Sequence, residues 1–157
     1  NDFQMYDKEG AADYPDYRKL SADLLFKWNG FSLLAEYVNA TANGLNGLYV
    51  EKDEGAKLKP RQIANYLALG NGLNVQAGYL FRKLWALDVA YSKVNPEWKE
   101  TGQSVLREAD NITFGASKYF NNNTFKLQLA GSYTSYNQLV GAGSKEFQVK
   151  LNLHILF

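Results

Sequence analysis

The chain has 157 residues, a length for one domain, and its 17 basic and 16 acidic side chains leave a net charge of +1. That balance argues against the broad positive field of a nucleic-acid binder, and the absence of cysteine excludes disulfides and thiolate metal sites. No apolar run approaches the roughly 20 residues of a membrane-spanning helix, a test that says nothing about strands, whose alternate residues can be polar even inside a membrane.

No signal peptide opens the sequence, which reads as a mature chain or a fragment. Residues 1–18 are polar, hold Gly10 and Pro15, and read as a loop, with Phe3–Tyr6 as the end of a strand. From Lys19 to Trp28 the chain alternates, with Leu20, Ala22, Leu24, Phe26 and Trp28 on one face. Period-two alternation predicts a β-strand with two unlike faces. Asn29-Gly30 follows, and a type I′ hairpin turn needs positive φ at both central residues. The return strand places Phe31, Leu33, Ala35 and Tyr37 opposite Ser32, Leu34, Glu36 and Val38.

Residues 39–72 form a long loop rich in Gly, Asn and charge, with room for a short helix over Arg61–Leu69. Leu73, Val75, Ala77, Tyr79 and Phe81 then alternate with Asn74, Gln76, Gly78 and Leu80, and Arg82-Lys83 makes a tight turn. Trp85, Leu87, Val89 and Tyr91 return against Ala86, Asp88, Ala90 and Ser92. A second long loop spans 95–110, before a strand with Ile112, Phe114 and Ala116 on its apolar face. Asn121-Asn122-Asn123 turns the chain into Phe125, Leu127, Leu129, Gly131 and Tyr133. The loop 137–145 leads to the last run, Phe147–Phe157, whose odd positions are all apolar. Its eleven residues suffice for a tilted strand to cross hydrocarbon, although a half-buried strand of a soluble sandwich carries the same pattern.

Two regularities favour a transmembrane antiparallel meander over a sandwich. Connections alternate short and long, as in outer-membrane barrels with short periplasmic turns and long extracellular loops; 1–18, 39–72, 95–110 and 137–145 are the expected extracellular loops. All three prolines, Pro15, Pro60 and Pro96, are expected in those loops, since a ladder needs its N–H groups. None of the apolar-face positions of these alternating runs is charged, where a chain with 21% charge would place several if that face met water. Trp28, Phe31, Phe81, Trp85, Phe125 and Phe157 gather beside the short turns, and Tyr37, Tyr91, Tyr133 and Phe147 toward the long loops. Two aromatic girdles are what a barrel presents to its two interfaces. The fold class expected is therefore all-β.

Several stretches carry a family resemblance: Lys19–Tyr37 (KLSADLLFKWNGFSLLAEY), Asn65–Tyr79 (NYLALGNGLNVQAGY), Val89–Pro96 (VAYSKVNP) and Gly115–Phe120 (GASKYF). With them the chain resembles the C-terminal part of the phosphate-selective porin O and P family of outer-membrane porins, most like members from Bacteroidetes. Phe157 is similar to the terminal aromatic by which such barrels are recognised for assembly. The resemblance implies seven C-terminal strands of a larger barrel of about 16 strands, an even number as single-chain bacterial barrels have. It also implies an integral protein of the bacterial outer membrane that passes small hydrophilic solutes or ions, including anions such as phosphate. The implied partners are outer-membrane lipid, the N-terminal barrel strands, and a homotrimer or other outer-membrane proteins. No nucleic acid and no cofactor is called for.

The polar face then lines the lumen. Its expected pore-lining residues are Asp23, Lys27, Glu36, Gln76, Asp88, Lys126, Gln128, Glu146, Lys150, Asn152 and His154. Their charges are mixed, whereas a phosphate-selective pore is served by a one-signed row of Arg or Lys. Catalysis has little support, because His154 is the chain's single histidine and a nucleophile needs a base and an orienting group in reach. Glu51–Glu54 lacks the Gly and ligand spacing of a calcium loop. The Asn39, Asn111 and Asn122 sequons are short enough to arise by chance. Gly70 and Gly72 read as a loop-to-strand hinge, with no helix behind them to cradle phosphate. A loop-presenting barrel, acting as an adhesin or assembly partner through 39–72, is the alternative, and a barrel enzyme the least supported. An eight-stranded barrel using Phe3–Tyr6 has a bore that side chains must fill, and this face is too rich in small residues to fill it.

Overall fold

The computed structural model describes residues 5–7, 9–43, 68–82, 84–97, 107–120, 125–137 and 144–155. Nine strands follow in order among them: β1 (Met5–Tyr6), β2 (Ala12–Asp13), β3 (Asp16–Trp28), β4 (Phe31–Asn43), β5 (Gly70–Phe81), β6 (Trp85–Pro96), β7 (Ala109–Phe120), β8 (Phe125–Tyr136) and β9 (Ser144–Ile155). Strands β3 to β9 form one seven-stranded sheet in sequence order, antiparallel at every step. This is the expected meander, with the hairpin turns after β3, β5 and β7 at one end and the longer connections at the other. The sheet is open: β3 and β9 are its two edges. No helix occurs among the described residues.

The structure corrects several boundaries. β1 and β2 make a separate two-stranded sheet, so Met5–Tyr6 is not an added strand of the large one. β3 starts at Asp16 rather than Lys19, β4 runs on to Asn43, and β5 starts at Gly70. β7 and β9 likewise start inside the expected loops, at Ala109 and Ser144. Backbone pairing continues there after the apolar alternation has ceased, because a ladder needs only N–H and C=O groups. Pro96 is the last residue of β6 rather than a loop residue, a place where a missing donor interrupts no interior pairing. Asn71 and Gly72 belong to β5, so the hinge narrows to Gly70, whose φ of 139° and crowding against Asn95 and Pro96 leave no room for a Cβ. The helix expected over 61–69, Pro60, the Asn121–Asn123 turn and Phe157 lie outside the described residues, Ala68 and Leu69 apart.

At the turn end, Asn29 (φ 44°) and Gly30 (φ 87°) form the two-residue turn that the sequence demanded. The next turn has three residues rather than two: Phe81 pairs with Trp85, Arg82 takes φ 48°, and the Leu84 N–H donates to the Phe81 carbonyl at 2.9 Å. Each later hairpin reaches past the turn before it. Leu80 donates its N–H to the Gly30 carbonyl, and Tyr119 to that of Leu84, both at 2.8 Å. Phe31 accordingly pairs with Tyr79, two residues short of the end of β5, and Trp85 with Lys118, two short of the end of β7. A two-residue step for every two strands, at roughly 3.3 Å per residue and 4.8 Å per strand, tilts the strands by about 35° from the perpendicular to the line of turns. That is the inclination of strands in a closed barrel.

Candidate functional site

The registers assign every strand residue to one of two faces. The apolar positions that the alternation marked on β3 to β9 share one face, although Leu25, Leu34, Val38, Leu80 and Val94 lie on the other. Asp23, Lys27, Glu36, Gln76, Asp88, Lys126, Gln128, Glu146, Lys150, Asn152 and His154 all share the other. Tertiary pairing sorts the polar residues further, into rows across the sheet.

One row runs Asp23, Glu36, Asn74, Ser92, Asn111, Thr134, Glu146, a polar residue on each of the seven strands. Asn74 Nδ2 donates to Glu36 Oε2 at 2.8 Å, and Ser92 Oγ to Asn74 Oδ1 at 3.0 Å. Farther along, Asn111 Nδ2 donates to Thr134 Oγ1 at 2.7 Å, while Thr113 Oγ1 donates to Asn111 Oδ1 at 3.0 Å. Asp23 stands directly opposite Glu36, a like-charge pair that is unfavourable unless water or a donor screens it. Asn74 supplies one such donor. Sequence reading by parity did not single out Asn74, Ser92, Asn111 or Thr134; only the register reveals that they form a belt.

A second row nearer the turns runs Lys27, Ser32, Gly78, Asp88, Gly115, Ala130, Lys150. Asp88 sits between two glycines. A Cβ on Gly78 would collide with the Asp88 carboxylate, and one on Gly115 would meet Asp88 Cβ at 3.6 Å. The carboxylate therefore lies across Gly78, in a recess of about 470 Å³ whose lining includes Lys27, Ser32, Gly78, Asp88 and Tyr119. Lys27 and Asp88 are three strands apart, about 14 Å at ordinary strand spacing, too far to neutralise each other by contact. The lowest row is Tyr119, Lys126, His154, with the Lys126 ammonium 5.5 Å from the Tyr119 ring centre.

Among the described residues no group of three or more His, Asp or Glu side chains is placed to hold a metal ion. Around His154 the sheet sets Lys126, Gln128 and Asn152, none of which carries a hydroxyl, thiol or carboxylate. The face carries mixed charge, with small residues at its middle: Gly78, Ala90, Thr113, Gly115, Ala130 and Ser132.

The other face is arranged by height. Asp16, Arg18, Lys93, Asp110 and Lys145 occupy it toward the long connections, and Lys118 near the turns; the described positions between carry no charge. On β7 the bare stretch runs from Asp110 to Lys118. Eight steps at about 3.3 Å, inclined by about 35°, make it about 22 Å tall, against the roughly 25 Å apolar band of an outer-membrane barrel. At its upper rim Tyr91 donates its hydroxyl proton to Asp110 Oδ1 at 2.7 Å, and Lys93 Nζ lies 3.5 Å from the same oxygen. At its lower rim Trp28, Phe31, Phe81, Trp85, Phe120 and Phe125 end or begin their strands. Phe120 and Phe125 pack at 5.1 Å, and Tyr79 and Phe81 at 4.6 Å, between ring centres.

Comparison with protein-family models, with curated proteins and with solved structures finds no match to this chain.

Proposed function

We propose that the seven-stranded sheet is part of the wall of a transmembrane β-barrel in a bacterial outer membrane. The barrel would serve as a passive diffusion channel for small hydrophilic solutes and ions, of the kind found in the phosphate-selective porin O and P family. The observation that carries this reading is the bare apolar band, which no described residue covers, free of charge and bounded by aromatic and ionic rims. Water would penalise such a surface, while hydrocarbon would penalise its absence, at ~2–4 kcal/mol for each mid-depth Lys or Arg.

Geometry supports closure. Unpaired N–H and C=O groups along β3 and β9 would each cost several kcal/mol in hydrocarbon, so both edges need further strands. β3 and β9 run in the same direction, so an all-antiparallel ring through them requires an odd number of added strands, giving the even total of single-chain bacterial barrels. With Lys19, Lys27, Lys126 and Lys150 on the same face as Asp23, Glu36, Asp88 and Glu146, this part of the wall is poor in the one-signed charge that sorts ions strongly. It suits a general pore, with any phosphate preference set by strands elsewhere in the ring.

Planar-bilayer recording on the native membrane-extracted protein tests the proposal. Discrete conductance steps are expected, with a reversal potential that moves toward anion preference in Asp88→Lys. Protein that is inserted across the bilayer yet passes no current would overturn the channel reading.

A further inference from the structure

On the apolar face lies a depression of about 550 Å³, the size of a small-ligand pocket, that no described side chain fills. Ala77, Ala116 and Gly131 leave it open, and Phe31, Tyr79 and Phe114 are among the large side chains that border it. Nine of its lining residues belong to the charge-free band, while Gly78, Asp88 and Gly115, which belong to the opposite face, border it as well. Just toward the turns stands Lys118, two residues along β7 from Ala116 and opposite Trp85 and Leu127. Its ammonium lies 4.7 Å from the Trp85 ring centre and 4.9 Å from that of Phe120. No carboxylate among the described residues pairs with it. On β7 the depression runs from Ala116 to Phe114, about 7 Å along the strand, and Lys118 stands two residues beyond its turnward end.

We infer that this groove with Lys118 is a binding site for a glycerophospholipid, one acyl chain lying over Ala77, Ala116 and Gly131 and the phosphate meeting the Lys118 ammonium. The inference rests on the membrane-spanning reading given above. Charge and depth select the ligand. A lone cation at the edge of an apolar band faces the headgroup level, where an anionic phosphate is the available partner. Two aromatic rings hold the ammonium at that level. The groove then leads from the headgroup toward the middle of the bilayer, the direction an acyl chain takes. A neutral lipid would fill the groove but leave Lys118 without its counter-ion.

Native mass spectrometry of the full chain, released from micelles doped with phosphatidylglycerol or with diacylglycerol bearing the same chains, provides the test. Wild type should retain phosphatidylglycerol over diacylglycerol by about fivefold, the effect of one Lys at an anionic surface. Ala116→Phe should lower retention of both lipids by about tenfold by filling the groove. Lys118→Gln should remove the phosphatidylglycerol preference and keep diacylglycerol binding. Ala77→Phe, on a different strand, repeats the filling experiment if the first variant fails to assemble. Unchanged lipid counts in the filled variants would overturn the inference, as would an undiminished phosphate preference in Lys118→Gln. A changed oligomer mass with an unchanged lipid count would also overturn it, by making the groove a contact between copies. Flotation of wild type with liposomes separates the two levels. Inserted protein with no selective retention sinks this site alone, and protein that does not insert sinks the membrane reading with it.

Discussion

The two faces of the interior strands β6, β7 and β8 differ by a single step along the chain and by everything their side chains meet. Leu87 is 54% exposed, Phe114 60% and Leu129 52%, with a sheet neighbour on either side of each strand. On the opposite face Ser117 is 1% exposed, and Asp88, Thr113 and Gln128 are half-buried. A water-soluble sheet is arranged the other way, with its large apolar residues against a second layer. No second layer covers either face among the described residues, whose buried apolar side chains are Ala40, Ala42, Leu69 and Ala86. The difference teaches that exposure alone does not identify a protein's solvent. The apolar face is complete as it stands if its solvent is hydrocarbon.

The sharpest way to break this comparison is to move a charge between faces. Leu129→Arg places a cation in the middle of the bare band, whereas Gln128→Arg, its chain neighbour, adds one to the polar face. The first should lose ~2–4 kcal/mol of stability in lipid, measured by denaturant unfolding from liposomes, or fail to assemble. The second should cost well under half of that, and equal losses would count against two different solvents. A smaller effect is expected at Gly78, where the polar face is tightly packed. Gly78→Ala drives a methyl into the Asp88 carboxylate and should cost about 1–3 kcal/mol, with most of the loss recovered in the Asp88→Ala background. A double-mutant cycle with no coupling would show that the carboxylate does not lie across that glycine. The smallest effect is expected at the upper rim. Asp110→Asn removes the carboxylate from Lys93 but keeps an acceptor for Tyr91, in side chains 39% and 42% exposed. Solvent screening limits the loss to about 1 kcal/mol, and 1 M salt should abolish it.

Much of this arrangement was legible in the residues. Period two in Lys19–Trp28 or Phe147–Ile155 fixes which side chains share a face, and Asn29-Gly30 states its turn type in two letters. Strand ends were less legible. Asn39, Thr41 and Asn43 continue β4 with polar residues on the face of the apolar band, where the chain has left the band but not the ladder. The three-residue turn after Phe81 also escaped, since nothing in Arg82-Lys83-Leu84 announces positive φ at Arg82. For the candidate site, parity found Asp88 and Glu36 but not their surroundings. That Asp88 faces Gly78 and Gly115, or that Glu36 takes a hydrogen bond from Asn74, depends on register across long connections, and residue order does not encode register over such separations.

The step between successive hairpins is two residues, an even number, and so returns every side chain to the face it held before. Each hairpin is on that account an interchangeable module. One more or one fewer would alter a ring's circumference by about 10 Å and leave the inside and outside of every surviving strand as they were. An insertion that slipped the step by one residue would instead turn all later strands inside out, so size can drift in a lineage only in whole hairpins. The bore of such a wall and the chemistry of its lining are thereby free to vary separately.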